Sequence, residues 1–154
     1  MALEYQLYLT NEIHSKDIVL IFSKLGWQFF EEKISSQSTP FQIINPEIGF
    51  SLSLINFEVN YDINGEQLDF THAINFRIDK MYISTLYKEN MLAFLTDFIN
   101  KINIGFLFLF NGEIILMLRN KQNEIILSDS DFWSNDLIKK LDNIKHRKEH
   151  FDTL

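Results

Sequence analysis

The amino-acid sequence predicts an α+β fold, in which a mainly antiparallel, meandering sheet is packed by two main helices and a short C-terminal helix. Several short segments alternate apolar and polar residues, as half-buried strands do, whereas longer segments repeat apolar residues at helical spacing. The dipeptides Asn64-Gly65 and Asn111-Gly112 each separate two strand-like segments, and Asn-Gly is the strongest short-range signal for a hairpin turn. No repeat or Pro/Gly-rich linker divides the chain. We therefore expect residues 1–145 to form a single domain and residues 146–154 to be a flexible tail.

The first part of the chain predicts a strand, a helix and two short extended segments. The first strand covers residues 1–9 and faces inward with Leu3, Tyr5, Leu7 and Leu9. A helix capped by Ser15 follows, and Gly26 is suited to end it. Its apolar face consists of Ile18, Ile21, Phe22 and Leu25. Short strands are expected over residues 27–30 and 41–44, on either side of a polar loop.

The middle of the chain predicts a hairpin followed by the main helix. Strands are expected over residues 49–59 and 70–78, with a possible turn at Asn64-Gly65 between them. The main helix begins near Ser84 or Thr85 and ends near Ile102. Its apolar stripe consists of Tyr87, Met91, Phe94, Leu95, Phe98 and Ile102.

The second half contains a nearly continuous apolar hairpin over residues 105–119. This hydrophobicity is typical of strands that are covered on both faces, which leaves little room there for chemistry facing solvent. A further strand over residues 124–127 and a helix capped by Ser134 complete the fold. The apolar residues of this last helix are Leu137, Leu141 and Ile144.

The composition excludes several classes of site. The 154 residues are 46% hydrophobic and include 15 Phe, so a core is available and disorder of the whole chain is disfavoured. The absence of cysteine excludes disulfides, thiolate metal sites and cysteine nucleophiles. The opening residues lack the basic segment of a secretory signal, and the most apolar stretch is too short to span a bilayer. We expect a cytoplasmic protein with no cofactor and no membrane contact.

The histidines are weak candidates for catalysis or metal binding. His146, Glu149 and His150 match the H-x-x-E-H pattern of a class of zinc peptidases. We interpret the match as coincidental, because that chemistry needs a third protein ligand and a rigid surrounding shell. His14 and His72 are better explained as structural or surface residues, since the sequence places no nucleophile or second titrating group beside them.

Paired carboxylates are the other candidates for acid–base chemistry. They occur at Glu31-Glu32 and at Asp129 and Asp131, where adjacent acids at strand or loop ends are usually solvated. No glycine-rich phosphate-binding motif occurs. We therefore predict no catalytic, cofactor-binding or metal-binding residue.

Negative charge is concentrated in one interval of the chain. The sequence carries 14 Lys and Arg against 21 Asp and Glu, which gives a net charge of −7, and neither base occurs between Lys33 and Arg77. That interval contains Glu47, Glu58, Asp62, Glu66 and Asp69. Such a surface repels phosphate backbones and attracts basic proteins, which favours a protein partner over nucleic acid. The alternative is that the acidity serves only solubility.

Several separated pieces of the sequence together resemble a known family. They are Met1-Ala2-Leu3-Glu4-Tyr5, Phe76-Arg77-Ile78-Asp79-Lys80 before the long helix, Phe110-Asn111-Gly112-Glu113 with Arg119, the following Ile-Ile-Leu strand, and Phe132-Trp133. Their order is similar to that of the Sit-type immunity proteins of bacterial polymorphic toxin systems, small cytoplasmic proteins that bind and neutralise a cognate toxin. Residues 34–69 do not align with this pattern, and immunity proteins are expected to vary where they meet their toxins.

The resemblance implies stoichiometric inhibition of a toxin domain, without catalysis and without a cofactor. We place the contact surface on the interval that lacks bases, with carboxylates as electrostatic contacts and an exposed aromatic residue as an anchor. The predicted contact residues are Glu47, Glu58, Tyr61, Asp62, Glu66 and Asp69. Two alternatives remain, a small cytoplasmic enzyme with a site around His72 and nearby carboxylates, and a self-associating structural domain that exposes a large apolar patch.

Overall fold

One mixed but mainly antiparallel sheet forms the framework of the protein. The computed structural model describes residues 2–24, 31–33, 41–45, 50–79, 86–141 and 143–154. The strands in these residues are β1 (Ala2–Leu9), β2 (Glu31–Lys33), β3 (Phe41–Asn45), β4 (Phe50–Ile63), β5 (Glu66–Asp79), β6 (Phe106–Phe110), β7 (Ile114–Arg119), β8 (Ile125–Ser128) and β9 (His146–Glu149). The helices are α1 (Ser15–Lys24), α2 (Leu86–Lys101) and α3 (Asn135–Lys139).

The strand order places the first strand in the middle of the sheet. Across the described residues the order is β2-β3-β4-β5-β1-β6-β7-β8-β9. Neighbouring strands are antiparallel except β8 and β9, which are parallel. This arrangement confirms the predicted α+β class and the mainly antiparallel sheet.

The larger core lies between the helices and one face of the sheet, which we call the helix face. Leu7 of β1 pairs across the sheet with Ile74 and Phe108, and all three are fully buried. Phe22 of α1 stacks on Phe94 of α2 with ring centroids 4.8 Å apart. The stripe predicted for the main helix is confirmed at its centre, because Met91, Phe94, Leu95 and Phe98 are all buried in this core.

The opposite face of the sheet, the second face, is covered by the end of a long hairpin. Tyr8, Leu107, Leu118 and Ile126 pair in register across β1, β6, β7 and β8, so they share this face. Residues 57–70 of β4 and β5, which we call the hairpin arm, extend past the last β1–β5 pair, Leu9 with His72. The inward residues of the arm join the same apolar cluster, and they are Phe57, Val59, Tyr61, Ile63, Leu68 and Phe70. The central strands are therefore buried on both faces, as their continuous hydrophobicity predicts.

The turn chemistry read from the sequence is confirmed at both hairpins. Asn64 and Gly65 have φ of 50° and 86°, and Asn111 and Gly112 have φ of 53° and 74°. Both strands of the first hairpin reach this turn directly, so β4 and β5 are longer than the predicted strands over residues 49–59 and 70–78. A change of register between Asn56 and Val59 marks where the arm leaves the rest of the hairpin.

The end of the chain differs from the sequence prediction. His146–Glu149 forms β9, paired with β8, where a flexible tail was expected. The tail prediction is wrong for these residues because β9 is an edge strand, and the charged Arg147 and Lys148 conceal any apolar alternation.

The last helix is shorter than predicted. Ser134 caps it, since its side chain accepts a hydrogen bond from the Leu137 backbone nitrogen, but the helix ends at Lys139. The Lys140 nitrogen then bonds to the Leu137 oxygen at 3.2 Å, so the chain continues in tighter turns. Leu141 and Ile144 are buried by these turns rather than by a continuous helix.

Some predicted elements lie outside the described residues. They are the strand over residues 27–30, the polar loop over residues 34–40 and the start of the main helix at Ser84 or Thr85. Among the helices that are described, none combines the length and the hydrophobicity needed to cross a bilayer.

Candidate partner-binding surface

The outer side of the hairpin arm brings together three of the predicted acidic residues. On β4 the exposed residues Glu58, Asn60 and Asp62 alternate with residues that pack inward. Asn60 pairs with Asp69, and Asp62 pairs with Gln67. Paired residues of neighbouring strands share one side of a sheet, so these side chains form one surface. We call this surface the acidic face, and it consists of Glu58, Asn60, Asp62, Gln67 and Asp69.

The acidic face has a single sign of charge. Within the described residues, no ion pair involves Glu58, Asp62 or Asp69. One Asp62 oxygen accepts a hydrogen bond of 3.0 Å from the Gly65 backbone nitrogen, a contact within the turn itself. The other two members, Asn60 and Gln67, are neutral amides. The face therefore presents negative charge and hydrogen-bonding groups, and none of its five residues is a base.

Two predicted contact residues lie on the inner side of the arm. Tyr61 is half-buried, with its ring centroid 6.3 Å from that of Tyr8 and 6.5 Å from that of Phe70. Tyr61 is thus less exposed than expected, because it packs the arm onto the sheet, and its role as an anchor stays a prediction. Glu66 is also partly buried, and one of its carboxylate oxygens accepts a hydrogen bond of 3.0 Å from the Lys121 backbone nitrogen.

Strict alternation along β4 could have identified the inward position of Tyr61. Val59, Tyr61 and Ile63 occupy every second position, and the residues between them are polar. The remaining predicted contact residue, Glu47, lies outside the described residues.

Tyr8 is the residue that the sequence prediction missed on this side of the sheet. It is 6% exposed and stacks on Phe57 at 4.9 Å between ring centroids, with Phe70 at 6.0 Å. Burial raises the pKa of the Tyr8 phenol above 10.0, and the charge of Tyr61 adds to this effect. Because Tyr8 alternates with Leu7 and Leu9, the sequence placed it on an outward face, and only the arm buries it. The position of the acidic face therefore depends on packing around Tyr8.

His72 lies in a depression at the base of the arm. The depression has a volume of about 390 Å³ and is lined by Glu12, Asn56, Phe57, Glu58, Thr71 and His72. Nδ1 of His72 shares a hydrogen bond of 2.8 Å with the Thr71 hydroxyl. The structure thus brings His72 near two carboxylates, although the hydrogen bond described for its ring is to a threonine. Among the described residues no carboxylate hydrogen-bonds to the His72 ring, whereas acid–base catalysis commonly uses an imidazole oriented in that way.

The H-x-x-E-H pattern lies on an extended segment rather than on a helix. His146 and Glu149 belong to β9, and four residues of extended chain separate the two histidines by roughly 13 Å. His146 Nδ1 lies 2.8 Å from the Ile144 backbone oxygen, and the His150 ring contacts Asp129 and Asp152. Within the described ranges no group of three or more His, Cys, Asp or Glu is arranged to hold a metal ion.

The exposed large apolar side chains of the described residues are few and lie on different elements. Leu20 of α1 is 57% exposed, Ile114 of β7 is 37% exposed and Leu154 is 39% exposed. Leu154 and Ile114 lie near each other, because the Leu154 nitrogen bonds to the Glu113 oxygen at 3.0 Å. Leu20 lies on α1, which packs against the helix face of the sheet.

Comparison with known proteins identifies the family of the chain. No curated protein and no solved structure matches it. A family model described as SitI3-like matches residues 3–137, a span that includes β1 to β8, both main helices and the hairpin arm. The match covers most of the 154 residues, and the chain therefore belongs to the SitI3-like family.

Proposed function

We propose that this protein is a cytoplasmic immunity protein that binds a cognate bacterial toxin domain and blocks it stoichiometrically. Membership of the SitI3-like family supports this role. The observation that carries the proposal is the acidic face, a surface of one charge sign on a hairpin whose inner side packs on the sheet. Inhibition of this kind needs no cofactor and no turnover, because the bound immunity protein itself keeps the substrate out of the toxin's active site.

The partner proposed for the acidic face is a basic protein surface. Toxin domains that act on nucleic acid carry basic clefts, because they must bind phosphate backbones. A negative surface accelerates encounter with such a cleft and suppresses binding of nucleic acid to the immunity protein itself. Of the predicted contact residues, Glu58, Asp62 and Asp69 are best placed to act in this way.

The first test reverses two charges of the acidic face. We predict that Glu58→Lys combined with Asp69→Lys slows association with the toxin domain by about tenfold or more at low salt, because electrostatic steering is lost. The toxin domain to test is the C-terminal domain of a large adjacent open reading frame with a secreted delivery region, if the gene has such a neighbour. Stopped-flow mixing at several salt concentrations measures the rate constant, and circular dichroism checks that the variant remains folded.

A matched control carries the same change of net charge elsewhere. Asp131 and Asp136 are exposed acids near α3, which packs on the helix face, and no ion pair is described for either. Asp131→Lys combined with Asp136→Lys should leave the association rate within about twofold, since these residues lie away from the arm. A rate that falls in this control and not in the acidic-face variant would move the contact surface to the other side of the molecule.

Co-expression tests the proposed function independently of the contact surface. Growth of cells that produce the toxin domain should be rescued by the wild-type protein, and the two chains should copurify. Rescue without copurification, together with turnover of a small molecule that is lost in His72→Ala, would instead favour the enzyme.

A further inference from the structure

An open depression lies beside the tip of the hairpin arm. It has a volume of about 630 Å³, and its lining includes Ile63 and Gly65 of the tip, Leu118 and Ile126 of the sheet, and Phe151. On its inner side the tip is packed by Ile63, which is 4% exposed and belongs to the same apolar cluster as Tyr8. The turn residues beyond it, Asn64 to Glu66, border the depression.

Two sets of hydrogen bonds hold the edges of the tip. On one side Glu66 accepts a hydrogen bond from the Lys121 backbone nitrogen at 3.0 Å. On the other side the side-chain nitrogen Nδ2 of Asn64 donates to a carboxylate oxygen of Glu149 at 2.7 Å and to the His150 backbone oxygen at 3.0 Å. The second set joins the tip to the last residues of the chain.

Those last residues, 150–154, cross the second face and are themselves fixed at several points. The His150 ring contacts Asp129 at 3.1 Å, and Phe151 packs against the cluster that contains Tyr8. The Leu154 nitrogen bonds to the Glu113 oxygen at 3.0 Å, in the turn between β6 and β7. Residues 150–154 thus run from the end of β9 to the far end of β6 and β7, and we call them the strap.

We propose that the strap holds the hairpin arm against the second face and thereby fixes the acidic face as a preformed docking surface for a basic protein. A two-stranded ribbon is at best marginally stable in water, and among the described residues no third strand pairs with the arm. Its order must come from packing and from the strap. A preformed surface binds without an ordering cost, which favours fast and tight association. The role as a docking surface rests on the proposed function. The holding of the arm by the strap, which we call the clamp, does not.

The test removes the Asn64 side chain without disturbing the turn. Asn64→Gly keeps a residue that tolerates φ of 50° and deletes the amide that reaches the strap. Hydrogen exchange measured by mass spectrometry on the protein alone should show about tenfold faster exchange over residues 59–70, as expected when a charge-assisted hydrogen bond is lost. Exchange of residues 106–109 in β6 should stay within about twofold of wild type.

The matched control is the same substitution in the other hairpin. Asn111 has φ of 53° and also precedes a glycine, and the hydrogen bond described for it uses its backbone nitrogen only. Asn111→Gly should leave exchange in the arm unchanged. Equal exchange in the arm for both variants, or faster exchange spread equally over β6, would overturn the proposal.

A second pair of variants tests the strap from its own side. Phe151→Ala removes its apolar anchor and should again accelerate exchange over residues 59–70, whereas Thr153→Ala, an exposed neighbour, should not. If the clamp is confirmed but toxin binding is absent from the wild-type protein, only the proposed function fails. If binding is present and the arm exchanges equally in all variants, only the clamp fails.

Discussion

Arg119 places a buried cation beneath the end of the main helix. It is 6% exposed and donates hydrogen bonds to the backbone oxygens of Ile99 at 2.8 Å and Ile102 at 2.7 Å. The last carbonyl groups of a helix lack partners within the helix and carry partial negative charge, so a guanidinium there satisfies both needs. Burial lowers the pKa of Arg119 from its usual value, and within the described residues its Nε has no partner. The side chain thus ties α2 to β7 although it sits in an apolar core.

Replacing Arg119 by methionine should destabilise the protein by about 2 kcal/mol, because the helix carbonyls would lose their donors. Urea unfolding followed by circular dichroism measures the change. Arg77→Met is the matched control, since Arg77 forms an exposed ion pair with Glu4 at 3.3 Å, and such pairs contribute less than about 1 kcal/mol. Equal losses in the two variants would show that the carbonyl contacts of Arg119 add nothing.

His150 makes the stability of the strap depend on pH. A hydrogen bond with Asp129 is the main cause that raises the pKa of His150 above 6.5, and Asp152 adds to it. A raised pKa in the folded state means that the contribution is fully present below the unfolded pKa and is lost as pH rises through the folded pKa. We predict that Asp129→Asn moves the pKa of His150 back towards 6.5, as measured by NMR titration of the ring. Asp131→Asn, which removes an exposed acid from the same turn, should leave it in place.

The hairpin arm covers the second face of the sheet and so creates a second apolar core beside the one under the helices. The register change between Asn56 and Val59 separates the part of the hairpin that pairs with the sheet from the part that covers it. Beyond that point every polar residue of the arm except Glu66 faces solvent, while the apolar residues between them face the cluster that contains Tyr8. The same alternation therefore builds the second core and the acidic face.

Removing the aromatic ring of Tyr8 should loosen this element more than any loss of its hydroxyl. Tyr8→Ala should cost about 3 kcal/mol, because it leaves a cavity against Phe57, Tyr61 and Phe70. Tyr8→Phe keeps the stacked ring and should cost less than about 1 kcal/mol. Thermal unfolding measures both, and a large loss in Tyr8→Phe would mean that the hydroxyl rather than the ring holds the arm.

At the scale of the whole molecule, the sequence predicts what is local and misses what depends on distant partners. The turns at Asn64 and Asn111 follow from backbone preference alone, and the stripe of α2 follows from helical spacing. The burial of Tyr8 depends on an arm that folds back over the sheet, which no local pattern reveals, whereas the alternation along β4 does indicate the inward position of Tyr61. The strand β9 is defined by its neighbour β8 rather than by its own charged residues.

The acidic face, too, is predicted from the sequence only in part. The interval without Lys or Arg is visible in the sequence, and it contains Glu58, Asp62 and Asp69. The register between β4 and β5 decides which of its carboxylates share a surface. The pairing of Asn60 with Asp69 fixes that register. Glu66 has the same charge, but its carboxylate accepts a hydrogen bond from the Lys121 backbone nitrogen.

The central place of β1 in the sheet has a consequence for synthesis. β1 lies between β5 and β6, both of which come much later in the chain. While the ribosome is still producing the intervening residues, this strand has neither of its lateral neighbours, and its leucines and tyrosines stay accessible to other nascent chains. Slow translation before β5 should therefore favour aggregation, and a chaperone that shields extended apolar segments should raise the yield of native protein.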